Sequence, residues 1–212
     1  MPKIVDHDQR RWEIAQALWQ VIYARGIDGV SFRAVAEAAG VSIGRVQHYF
    51  SSKDELVVFG CRSMVSAAER DHGPDLVLRG ATRVQDALVD FLCAPLAVTE
   101  ALRVGASVWA TYQAKAVSHP GIAEVVAEAM RGRTEATSAL LAVACGAAAA
   151  DSAPSRPRAE GGPAASAGFH ATALVLVSLA EGLNTRVLAG AVRAREAGEL
   201  IRDAVDRAVR AA

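Results

Sequence analysis

The stretch from Ser31 to Lys53 reads SFRAVAEAAGVSIGRVQHYFSSK. Ser31 stands before Phe32-Arg33-Ala34-Val35-Ala36-Glu37-Ala38-Ala39. Serine is a preferred N-cap because its hydroxyl accepts a bond from an orphan N–H of the first turn. Gly40 closes that short helix, Val41 follows, and Ser42 caps a second helix from Ile43 to about Phe50. Cap, helix, glycine, short turn, cap, helix is the sequence form of a helix-turn-helix. Val35, Ala36, Ala39, Val41, Val46 and Phe50 are spaced to pack the two helices on a preceding one. Arg33, Ser42, Arg45, Gln47, His48, Tyr49 and Lys53 are left with polar ends facing outward or along the rim. A helix presenting such donors fits the major groove of DNA. Its capped N-terminus also offers N–H groups and a positive dipole end to phosphate. The local charge agrees: Arg33, Arg45 and Lys53 stand against Glu37.

Working outward, residues from about Asp8 to Arg25 carry Ile14, Leu18, Val21 and Ile22 on one stripe, and Gly26 and Gly29 end that helix. On the other side, Ser52-Lys53-Asp54-Glu55 matches a capping box, with Glu55 expected to bond back to the Ser52 N–H. The helix it starts is predicted to run to about Asp71, followed by a loop marked by Gly73-Pro74 and Gly80. Further helices are predicted at about 82–93, 96–118, 121–146, 168–190 and 194–211. The segment 147–167 is rich in Ala, Ser, Pro and Gly and nearly free of large apolar residues, so it reads as a mobile loop.

Composition agrees with an all-α chain. Of 212 residues, 52% are hydrophobic and 45 are alanine, the strongest helix former. This length supports a sizeable core without metals or disulfides. Cys61, Cys93 and Cys145 form no metal-type pair and are read as reduced. The 23 basic and 23 acidic residues balance, so placement of charge rather than net charge must decide whether DNA is a partner. The N-terminus lacks the apolar region of a signal peptide, and the apolar stretches are shorter than the ~20 residues of a membrane span. The histidines are scattered, and neither a nucleophile elbow nor a phosphate loop is present. The expectation is a cytoplasmic protein that is no enzyme, has no cofactor or metal and meets no membrane.

Gly26, Ser31-Phe32-Arg33, Val35-Ala36, Ala39-Gly40-Val41-Ser42, Gly44, His48-Tyr49-Phe50 and Lys53-Asp54-Glu55-Leu56 together resemble the DNA-binding segment of the TetR family of transcriptional repressors. The resemblance is specific over about residues 10–60; farther on, Glu181-Gly182-Leu183 resembles a motif of the family's penultimate helix. It implies a helix-turn-helix domain over residues 1–52 and a helical effector-binding and dimerisation domain over 53–212. It implies that Arg33 reaches a base edge or phosphate, that Arg45 and Gln47 face bases, and that Ser42, His48, Tyr49 and Lys53 hold phosphates. The Gln47-His48 pair departs from the aromatic residues that many members carry there.

Trp109, Tyr112 and Ala116 share a helix face, which fits either core packing or the aromatic wall of a pocket. On the second reading Phe91, Arg103, Trp109, Tyr112 and Gln113 contact a small, mainly apolar or aromatic effector. The 168–190 helix is apolar around most of its circumference, so it is expected to be buried on two faces, one against a partner subunit. Leu183 and Val187 are expected at that contact. The sequence thus points to a homodimeric repressor that binds a palindromic operator in double-stranded DNA and is released by a ligand. The alternative is a helical ligand-binding or scaffold protein without DNA binding.

Overall fold

A computed structural model describes residues 7–152 and 168–212. It contains ten helices and no strand among the described residues: α1 His7–Arg25, α2 Phe32–Ala39, α3 Ile43–Tyr49, α4 Lys53–His72, α5 Pro74–Gly80, α6 Val84–Cys93, α7 Glu100–Ala116, α8 Pro120–Ser152, α9 His170–Leu188 and α10 Ala194–Ala211. The all-α reading holds.

Four local readings are corrected. The loop expected after Gly73 is a helix, α5, with Pro74 at its start; proline's fixed φ suits the first helical position, where no intrahelical N–H bond is needed. Helix α7 begins at Glu100 rather than 96, because the Thr99 hydroxyl accepts the Leu102 N–H at 3.2 Å and sets the start. Helix α8 passes Gly146 to Ser152, since one glycine costs only about 1 kcal/mol within an alanine-rich helix. The expected mobile loop therefore lies, from residue 153 to 167, outside the described residues. Fourth, Glu55 does not bond back to Ser52: its Oε2 accepts the Ser51 N–H and the Ser51 hydroxyl, each at 2.8 Å, while the Ser52 Oγ accepts the Glu55 N–H at 3.0 Å.

The described residues form two compact units. The first comprises the chain up to Ala67 together with Val104–Ala127; the second comprises Ala68–Arg103 and Glu128–Ala212. The division expected at residue 52 is not the division of packing: the first unit also takes in most of α4, most of α7 and the start of α8.

In the first unit, the α1 stripe Ile14, Leu18, Val21 and Ile22 is buried, as are Val35 of α2, Val46 of α3, Phe50, Leu56 and Val57. Each such side chain contributes about 1.5–3 kcal/mol of burial free energy. Ala39 and Val41 are only half-buried. Helix α4 approaches closely at Gly60: a Cβ there would lie 2.4 Å from Leu18 Cδ2 and 2.8 Å from Tyr112 Oη. Trp19 of α1 donates its indole N–H to the Gly60 carbonyl at 3.0 Å. The α7–α8 corner is tied to α4 by His119. Its Nε2 lies 2.6 Å from Asp54 Oδ1, and its Nδ1 accepts the Ile122 N–H at 3.2 Å.

In the second unit, Leu88, Leu92, Leu141, Leu176, Ile201 and Val205 belong to one core cluster. Helix α9 is apolar and long enough to cross a membrane on length and composition, which the apolar-run reading did not anticipate. It nevertheless carries Leu176, Val177, Ala180, Leu183 and Val187 into this core. Leu183 and Val187, expected at a partner contact, are thus internal; the large apolar residues left outside on α9 are Leu174 and Val175, 51% and 65% exposed. An all-round apolar helix does not reveal which of its faces is turned inward.

Candidate nucleic-acid interface

The Ser31 hydroxyl accepts the Ala34 N–H at 3.1 Å and starts α2. Gly40 ends it in the left-handed region, at φ +64°, where a side chain would be strained. Its N–H and that of Val41 turn back to the Glu37 and Ala36 carbonyls, at 3.2 and 3.0 Å. The Ser42 hydroxyl then accepts the Arg45 N–H at 3.2 Å and starts α3. Two caps and one glycine therefore fix the angle between the two short helices.

Helix α3 buries a single residue, Val46. Ile43, Gly44, Arg45, Gln47 and His48 are exposed, and Tyr49 is half-buried. A helix of this kind cannot be held by its own burial; it is held by Val46, by Phe50 just past its end, and by its cap. The remaining surface is free to meet a partner. Of the seven residues expected to contact DNA, Arg33, Ser42, Arg45, Gln47, His48 and Lys53 are exposed on the first unit. Lys53 opens α4, with its Nζ 3.5 Å from the Asp28 carbonyl oxygen. The Tyr49 ring lies between two imidazoles, 4.7 Å from His7 and 5.1 Å from His48. His7 is a neighbour that spacing did not suggest.

The five residues expected at an effector divide between the units. In the second unit Arg103 donates to the Leu188 carbonyl at 3.2 Å, so it covers the end of α9. The face of Phe91 is overlain by the Arg133 guanidinium at 4.8 Å, and the same side chain donates to the Phe91 and Leu92 carbonyls at 2.9 and 3.2 Å. Arg133 thus neutralises the open carbonyls near the end of α6, a role that sequence spacing does not show. In the first unit Trp109 and Gln113 are half-buried. Tyr112 is fully buried, and burial pushes its phenol up. Among the described residues no group of three His, Cys, Asp or Glu could hold a metal ion.

The family model described as bacterial regulatory proteins, tetR family, matches residues 14–58, the span of the caps, turn and exposed helix just described. Over that segment the chain is similar to the tetR family. Over 79 residues it is 44% identical to the HTH-type transcriptional regulator PksA of Bacillus subtilis, covering 37% of this chain and 38% of that protein. The chain therefore spans less than half the length of that relative. A solved transcriptional regulator from Rhodococcus is 28% identical and superposes over 95% of this chain and 94% of its own, with a TM-score of 0.70. A regulator from Saccharomonospora viridis, solved in complex with choline, shares the fold at 20% identity and a TM-score of 0.66, over 94% of this chain and 95% of its own. The named relatives are regulators of transcription rather than enzymes.

Proposed function

We propose that this chain is a homodimeric transcriptional repressor of the TetR family that binds a palindromic operator and is released by a small, mainly apolar or aromatic ligand. The observation that carries the reading is α3: a helix with one buried residue, capped at its start and presenting Arg45, Gln47 and His48 outward. Arg45 and Gln47 are assigned to base edges in the major groove, with Arg33 at a base edge or phosphate. Ser42, His48, Tyr49 and Lys53 are assigned to phosphates, which place the protein without reading sequence. The partner is double-stranded DNA, and two-fold pairing matches two half-sites about 34–36 Å apart or multiples of that.

Exposed Leu174 and Val175 on α9 and Val143 on α8 support pairing of two copies. Effector contacts are assigned to Trp109, Tyr112 and Gln113 of the first unit; that this fold holds choline in the S. viridis protein supports a small-molecule effector. The functional division is residues 1–52 for DNA and 53–212 for effector and pairing.

The test is protection of DNA flanking the chain's own coding region. The reading expects a protected palindrome whose protection fades on effector addition, with a change in Trp109 fluorescence. Uniform, sequence-independent protection would overturn the operator, and an unchanged ligand response in Trp109→Ala would move the effector site elsewhere.

A further inference from the structure

We propose that Arg11 of α1 is a positioning residue for the phosphate contacts, an inference that rests on the DNA-binding reading above. Its guanidinium lies over two aromatic rings, with Cζ 4.7 Å from the centroid of Phe50 and 4.3 Å from that of Phe59. The two rings pack together at 5.3 Å. Its Nη2 pairs with Glu55 Oε1 at 3.2 Å, and the other oxygen of that carboxylate takes the Ser51 N–H and hydroxyl at 2.8 Å each. One side chain of α1 thus touches the residue that closes α3, the first turn of α4 and, through Glu55, the backbone between them.

Tyr49 and Lys53 flank this corner, one immediately before Phe50 and the other immediately after Ser51-Ser52. A planar guanidinium stacked on two rings and anchored on a carboxylate restricts the corner in a way that a flexible ammonium does not. The Arg11 side chain is mostly covered, at 24% exposure, and its Nε is enclosed without a hydrogen-bond partner among the described residues. Its Nη2 is taken by Glu55 and its Nε is enclosed, so it serves phosphate binding through the corner and not by its own contact.

The experiment measures affinity of the full chain for a short duplex of random sequence across a salt series, at a temperature where circular dichroism shows full helicity. Arg11→Lys keeps the charge, so direct phosphate pairing predicts little change. The positioning role predicts about a five- to tenfold loss with an unchanged salt slope. Combining it with Lys53→Ala should cost less than the product of the two single losses. Glu55→Gln removes a negative charge near DNA, and electrostatics alone predicts tighter binding. The positioning role predicts weaker binding, and this variant decides the matter if Arg11→Lys does not fold. Parent-like affinity in Arg11→Lys, or a slope shallower by about one unit, overturns the inference while leaving the DNA-binding reading intact. Failure of the unmodified chain to bind the duplex overturns the reading itself.

Discussion

Replacing Gly60 by alanine tests the packing that supports the helix-turn-helix. The added Cβ would sit 2.4 Å from Leu18 Cδ2 and 2.8 Å from Tyr112 Oη, both closer than real Cβ contacts. Leu18 and Tyr112 are fully buried, so neither can swing into solvent. Overpacking a core costs about 1–3 kcal/mol, and two short contacts in one site place this change near the upper end. Alanine in place of glycine within a helix returns about 1 kcal/mol. The net expectation is a loss of about 2 kcal/mol. A chain of this size loses about 2–4 °C of Tm per kcal/mol, so the fall should be about 4–8 °C. Thermal unfolding followed by circular dichroism reads it. A second variant locates the strain: adding Tyr112→Phe removes the 2.8 Å contact and should recover about 1 kcal/mol. A Gly60→Ala protein that melts at or above the parent temperature would refute the close approach of α4 to α1 and α7.

Three other outcomes follow from named contacts. Ser42→Ala removes the oxygen that accepts the Arg45 N–H and should cost about 1 kcal/mol, read as a lower Tm and weaker duplex binding; an unchanged Tm would show that α3 does not depend on its cap. Val175→Asp should leave the chain folded but monomeric in sedimentation, whereas Leu183→Asp, which buries a charge in the core, should unfold it; folded monomers from both would contradict the inward placement of Leu183. The Ser51 N–H and hydroxyl, and then Arg11, hold the Glu55 carboxyl below its ordinary range. Its contribution is therefore present above the unfolded carboxylate range and is lost as pH falls through the folded value. Stability of Glu55→Gln should depend less on acid pH than that of the parent, and identical acid profiles would show that the interaction is silent.

The helix-turn-helix half was legible because its structure is local. Ser31, Gly40 and Ser42 act on backbone groups three or four residues away, and the pattern of caps and glycine gave α2 and α3 to within a residue. The same local logic expects a loop where α5 stands, because Gly73-Pro74 marks a loop as readily as the start of a helix. It also placed the Glu55 bond one residue late, because a carboxylate reaching back has two N–H groups within range. Long-range roles were not legible. Arg103 and Arg133 satisfy carbonyls 85 and 42 residues away in sequence, and nothing in spacing marks an arginine for that task. Arg11 was missed for the same reason, its partners Phe50, Glu55 and Phe59 lying on other helices. On α9 hydrophobicity gave burial but not direction, so Leu183 and Val187 were assigned outward while Leu174 and Val175 hold that position.

The most direct test of the account is a salt titration of the purified full chain with duplex DNA, read by fluorescence anisotropy. Cations that meet phosphates release condensed counterions, so log K should fall linearly with log salt at a slope of about −0.9 for each phosphate neutralised. The account predicts a steep slope that becomes shallower by about one unit in Lys53→Ala, with the loss shared by every sequence. It predicts a different result for Arg45→Ala and Gln47→Ala, namely discrimination reduced by about 1–3 kcal/mol at defined operator positions. Binding that is absent, or present but insensitive to salt, would contradict the assignment of α3 to DNA.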